Sequence, residues 1–132
     1  MKCPHCTDEV LISIEYEQVE VDYCIVCKGI WLDVHEIELL LGGEEAAQAY
    51  LSVGTPCEAP PGEAIRKCPE RDKDLTKEQT SSDPPVVFDH CTSGDGVWLD
   101  HGELEHMLAQ VTKDTELTEV GKYLMEIFGS KN

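Results

Sequence analysis

Apolar and polar residues alternate twice near the start of the chain. Between positions 10 and 16, Val10, Ile12, Ile14 and Tyr16 are separated by Leu11, Ser13 and Glu15, and between 19 and 23, Val19, Val21 and Tyr23 alternate with Glu20 and Asp22. A two-residue period sends one set of side chains to a buried face, so the two runs predict a β-hairpin. The period then lengthens. Val34, Ile37, Leu40 and Leu41 share one side of a short helix. Asp33-Val34-His35-Glu36 has the form of a capping box at its start, and Gly42-Gly43 supplies the left-handed turn that stops it.

The same succession recurs in the second half. The run from Val21 to Asp33 lies over the run from Phe88 to Asp100, with Trp31-Leu32-Asp33 over Trp98-Leu99-Asp100 and Cys24 over Cys91. Glu36, Ile37, Glu38 and Leu41 lie over Glu103, Leu104, Glu105 and Leu108, and Cys3-Pro4 lies over Cys68-Pro69. An internal repeat sets the number of structural units before any fold is assigned. The second hairpin carries a looser connection, Ser81-Ser82-Asp83-Pro84-Pro85, and Asp100-His101-Gly102-Glu103 resembles a second capping box. The expected organisation is a unit over 1–43, a short helix and Pro-rich linker over 44–66, a second unit over 67–111, and a C-terminal segment over 112–132. In that last segment Leu117, Val120, Leu124, Ile127 and Phe128 fall on one face of a helix over 115–128. This face is expected to pack on the protein's own units; a dimer or partner surface is the alternative.

Charge narrows the function classes. With 27 acidic and 10 basic residues among 132, the formal net charge is −17. Phosphate contacts need Lys and Arg, so nucleic-acid and anionic-membrane partners are not expected. The acidic surface serves solubility, or a basic protein partner that Glu36, Glu38, Glu44 and Glu45 would meet. No signal peptide precedes Cys3 and no apolar run reaches membrane-spanning length, so a reducing cytosol is the expected compartment.

Seven cysteines then change the picture. Cys3-Pro4-His5-Cys6 and Cys24-Ile25-Val26-Cys27 are two C-x-x-C pairs, and the predicted hairpin between them would bring their turns together. Four thiolates around zinc form a closed tetrahedral shell with no position for water, which favours a structural over a catalytic ion. A unit of about 40 residues needs such a staple. Iron is the nearest competitor, because rubredoxin-type sites also use paired C-x-x-C turns, but these usually repeat C-P-x-C in the second pair, where Ile25 and Val26 stand here.

The pattern C-P-x-C, a hairpin, C-x-x-C-x-G-x-W-L-D and an acidic amphipathic helix resembles the TFIIB-type zinc-finger domain of small bacterial and archaeal proteins. The resemblance is close over 2–42 and degenerate over 67–110. It implies a zinc-ribbon-like fold with Cys3, Cys6, Cys24 and Cys27 as ligands, and it says little about activity. The fold class expected is therefore a small, metal-stabilised α+β protein of two zinc-ribbon-like units with a C-terminal amphipathic helix, holding one zinc ion per chain.

The second unit departs from the pattern. Arg71 and Gly94 stand where the second and fourth cysteines should be, leaving Cys68 and Cys91. Three outcomes are open: a metal-free unit held by packing; a metal site completed by two of Asp72, His90 and Asp95; or a Cys68–Cys91 disulfide. Arg71 would repel a dication and pair with Asp95 or Asp72. Trp31 and Trp98 are expected in the core. His5 is expected to face water, and none of His5, His35, His90, His101 and His106 has catalytic spacing to a nucleophile. Cys57, in Pro-rich sequence, is expected to be an exposed spare thiol. Together these readings point to a non-enzymatic zinc protein that presents a surface to an unknown protein partner. A redox-responsive or rubredoxin-like electron-transfer role is the alternative.

Overall fold

The computed structural model describes residues 1–16, 19–45, 47–48, 54–80 and 85–111, together with Lys122 and Glu126. Its strands are β1 (Ile12–Tyr16), β2 (Val19–Tyr23), β3 (Ile30–Asp33), β4 (Thr55–Pro56), β5 (Thr76–Gln79), β6 (Val87–His90) and β7 (Gly96–Leu99). Its helices are α1 (Val34–Leu41) and α2 (Glu103–Val111). Glu44, Glu45, Ala47 and Gln48 are also helical. The helix expected over 115–128 lies outside the described residues except for Lys122 and Glu126.

The alternating run over 19–23 becomes β2, with Val19 and Val21 buried and Glu20 exposed. It pairs antiparallel with β1 from Ile12↔Tyr23 to Tyr16↔Val19. The capping box forms at α1: the Asp33 carboxylate accepts from Glu36 N–H at 2.8 Å, and Glu36 Oε1 accepts from Asp33 N–H at 2.9 Å. Gly42, at φ 95°, closes the helix and donates its N–H to the Glu38 carbonyl oxygen. The corresponding box at Asp100 does not form. Glu103 N–H donates to the Asp100 backbone carbonyl oxygen, while the Asp100 carboxylate accepts from Arg66 and from Trp98 Nε1.

All seven strands join one sheet, in the order β1-β2-β3-β7-β6-β5-β4, antiparallel throughout. The seam between the halves is the β3–β7 pair, in which Ile30 faces Leu99, Trp31 faces Trp98 and Leu32 faces Val97. Asp22↔Trp31 and Tyr23↔Ile30 on one side of the seam recur as Asp89↔Trp98 and His90↔Val97 on the other. Thr55 and Pro56, in the segment read as linker, lengthen the sheet as β4 beside β5.

The sheet is covered on both faces, which explains why its central strands lack polar alternation. Ile30, Leu32, Val97 and Leu99 join Ile37, Leu40, Leu104, Met107 and Leu108 in the helix-side core. Trp31 and Trp98 point the other way, into a second cluster with Leu11, Leu75, Cys3, Cys24, Cys68 and Cys91. Helix α1 packs on β2, β3 and also β7, so it spans the seam. Two glycines permit the close approach. A Cβ at Gly29 would come within 2.2 Å of Trp98 Cζ2, and one at Gly96 within 2.2 Å of the Leu32 carbonyl oxygen. Both tryptophans are fully buried.

Candidate metal centre

Two turns of one design carry the first four cysteines. In the first, Thr7 N–H donates to the Cys3 carbonyl oxygen at 2.9 Å, and Cys6 N–H donates to Cys3 Sγ at 3.2 Å. In the second, Lys28 N–H donates to the Cys24 carbonyl oxygen at 2.9 Å, and Cys27 N–H points at Cys24 Sγ at 3.5 Å. Thr7 and Lys28, each just after a pair, take left-handed φ values of 64° and 67°. Such values are uncommon for residues other than glycine, and these two reverse the chain so that both sulfurs of a pair face inward.

The four sulfurs lie within 4.8 Å of one another. Cys3 Sγ is 3.6 Å from Cys27 Sγ, and Cys6 Sγ is 3.8 Å from Cys24 Sγ. A tetrahedron with metal–sulfur bonds near 2.3 Å has edges of about 3.8 Å, so the cluster fits zinc without rearrangement. Burial, followed by the contact with Cys24, pushes the Cys6 thiol up to about 11, and burial raises Cys27 further. Burial would also raise Cys24, but N–H groups of Cys27 and Val26 outweigh it and leave that thiol below its ordinary value. A dication held by these thiols has to displace their protons, so binding is weakened by acid.

The second cysteine cluster mirrors the first in place and differs in content. Cys68, Cys91 and Asp95 offer ligand atoms within 4.8 Å of one another. Both thiols contact the same carboxylate oxygen, Asp95 Oδ2, at 3.4 Å and 3.3 Å. Arg71 covers them, donating from Nε to Oδ2 and from Nη2 to Oδ1 at 2.8 Å. That fork holds the Asp95 carboxyl below its usual range, and burial pushes the Cys68 thiol up to about 12. Asp72 stays solvent-exposed beside Lys67, and His90 pairs with Glu78 on the sheet, so of the three residues considered as extra ligands Asp95 alone joins the cysteines. Cys68 and Cys91 are both free thiols.

Several contacts cross from one cluster's surroundings to the other's. Trp31 Nε1 donates to Glu70 Oε2 at 3.0 Å. His5, between the first two cysteines, is exposed, yet its Nδ1 meets Arg66 Nη2 at 2.8 Å. Arg66 is itself buried, with Nη1 3.0 Å from Asp89 and 2.8 Å from Asp100. Lys77 completes the network with Glu63 and Asp89. The sequence does not mark out Arg66 or Glu70, since the partners of each are distant along the chain. Cys57 is half-buried rather than exposed, and its N–H donates to the Lys77 carbonyl oxygen. Burial raises its thiol despite the nearby Lys77 charge. Glu36, one of four acids assigned to a partner face, is buried in the capping box, where burial pushes its carboxyl up to about 8.

The knuckle geometry and the helix that follows β3 have a counterpart among known families. Residues 2–42 match the transcription factor zinc-finger, a TFIIB-type zinc ribbon. The matched zinc ribbon contains both cysteine turns, β1 to β3 and α1. No match is found among curated proteins or solved structures. Among the described residues, no helix is long and apolar enough to cross a membrane.

Proposed function

We propose that this chain is a cytosolic, non-enzymatic zinc protein whose metal fixes a surface for another protein to recognise. The observation that carries the reading is the cluster of four sulfurs, 3.6 and 3.8 Å apart across the two turns, which offers a metal four protein ligands and leaves no vertex for substrate or water. The chemistry zinc supplies there is structural. Cys3, Cys6, Cys24 and Cys27 hold it, the N–H groups of Cys6 and Cys27 support their sulfurs, and the β1–β2 hairpin spans the two turns. In this reading 67–111 is a diverged second copy of the ribbon. It has given up tight metal binding and serves as the other half of the sheet.

The acidic balance of −17 favours a basic or neutral protein partner over nucleic acid. Around the second cysteine turn, Ile25 and Val26 are 49% and 59% exposed beside the metal cluster, an apolar element whose position depends on the ion. Metal analysis of the purified protein tests the reading. One tightly held zinc per chain in a colourless protein, and capture of a protein partner that ceases when chelator removes the zinc, are the expected results. A coloured, iron-containing protein would assign the four sulfurs to electron transfer instead.

A further inference from the structure

We propose that Cys68, Cys91 and Asp95 form a second metal site of a different kind, an open one that takes a thiophilic divalent cation such as zinc reversibly, with Arg71 as its charge-balancing outer partner. The three donor atoms already lie within 4.8 Å of one another. Metal–sulfur bonds near 2.3 Å and metal–oxygen bonds near 2.0 Å put sulfur and oxygen about 3.5 Å apart. The Cys68 and Cys91 sulfurs are 3.4 and 3.3 Å from Asp95 Oδ2. One carboxylate oxygen therefore meets both sulfurs, as the oxygen vertex of a tetrahedron must.

Arg71 occupies an old ligand position, and its fork holds both carboxylate oxygens, Nε on Oδ2 and Nη2 on Oδ1. Binding an ion through Oδ2 displaces the Nε arm, while the Nη2 bond to Oδ1, the oxygen that does not touch the sulfurs, can stay. Ligating carboxylates are commonly held through their second oxygen in this way. Charge also closes. Without metal, two neutral thiols, one carboxylate and one guanidinium sum to zero. With a dication, two thiolates and the carboxylate leave one negative charge, which the guanidinium again cancels. The step releases two thiol protons to solvent for each ion bound. Because the protein supplies three ligands rather than four, and two protons must leave, the site holds its ion more weakly than the first cluster. The fourth vertex is left to water, whose approach is on the Cys68 side, where a groove of about 520 Å³ is lined by Cys3, Pro4, Cys68, Pro69, Glu70 and Arg71 among others. The inference does not depend on the first cluster's function, only on that cluster being filled first.

Cobalt(II) reads the second site directly. Protein carrying one zinc per chain is titrated with cobalt(II) while zinc content is followed by mass spectrometry. The expected result is one further ion per chain, two protons released, and absorption from a four-coordinate cobalt with two thiolates, while the zinc stays bound. Cys91→Ser abolishes this uptake, and Asp95→Asn weakens it by at least roughly tenfold, since losing an anionic ligand costs no less than losing the support behind one. Near-UV circular dichroism and the retained zinc show that each variant is folded; Asp95→Asn serves if Cys91→Ser is not. No uptake beyond the first ion, uptake indifferent to both variants, or a four-thiolate spectrum with zinc expelled would each overturn the proposal.

Discussion

The two cysteine clusters sit at equivalent places in one sheet and solve the same problem with different cations. At the first, four sulfurs converge on a space that a metal fits, and two left-handed residues, Thr7 and Lys28, are spent on aiming them. At the second, two thiols and a carboxylate converge, and a guanidinium covers them from the surface. The difference shows what each half asks of its site. The first cysteine turn has few other anchors, Lys2↔Val10 and the His5–Arg66 contact among them. The second cluster is surrounded by a network already held by Arg66, Lys77, Asp89 and Asp100. Among the described residues the buried ion pairs given by Arg66, Lys77 and Asp89 lie around the second cluster, which has two sulfurs where the first has four.

The largest expected effect separates the clusters outright. Structural zinc in finger peptides binds with about 10–16 kcal/mol, which is free energy of folding. Chelation, or Cys24→Ser, is therefore expected to abolish the dispersed amide spectrum of 1–42. Cys91→Ser, measured by urea unfolding, should cost only about 1–3 kcal/mol, the scale for burying a hydroxyl, since Asp95 Oδ2 stands beside it as an acceptor. If the two variants destabilised equally, the clusters would be doing the same job.

The seam comes next. Trp31→Ala and Trp98→Ala each empty a fully buried site and are expected to cost about 3–5 kcal/mol. Trp31→Ala also leaves Glu70 without its indole donor. A fragment covering only 1–55 would expose Trp31 and the edge of β3, so with zinc present it should self-associate, which analytical ultracentrifugation would detect. Gly29→Ala, whose Cβ would overlap Trp98, is expected to cost about 1–3 kcal/mol by overpacking. A neutral result there would mean the halves can separate.

Glu36 sharpens the comparison through pH. Burial raises its carboxyl from 4.5 to about 8, so the folded state holds that proton more tightly than the unfolded chain does. Stability from this group is full below about 4.5 and is withdrawn as pH rises to about 8. Zinc-loaded protein should lose stability as pH rises from about 4.5 to about 8, and Glu36→Gln, which keeps the cap acceptor, should flatten that slope. A slope unchanged in Glu36→Gln would place its origin elsewhere. The smallest effect is expected from Arg71→Ala, a melting shift below all of these, because the guanidinium lies at the surface where water replaces it.

Much of the first half was readable along the chain. The cysteine spacing gave the cluster of four sulfurs, alternation over 19–23 gave β2, and Asp33-Val34-His35-Glu36 gave the cap of α1. Charge left Arg71 to pair with Asp95 or Asp72, and the fork is to Asp95. The second cap misled because Asp100 carries the same letters but meets Arg66, a residue far away in sequence. The apolar triplets Ile30-Trp31-Leu32 and Val97-Trp98-Leu99 were the available sign of strands buried on both faces.

What the amino-acid order settled by itself is local: turns, caps, hairpin period and the chemistry of the sulfur pairs, since each depends on neighbours within a few residues. The tertiary structure alone decided that β3 lies against β7, that Trp31 reaches Glu70, that His5 reaches Arg66, and that both cysteine clusters share one buried face. Those are pairings between distant segments. Their partners are chosen by which exposed edges and apolar faces remain once the local elements exist, and no spacing along a single chain records that choice.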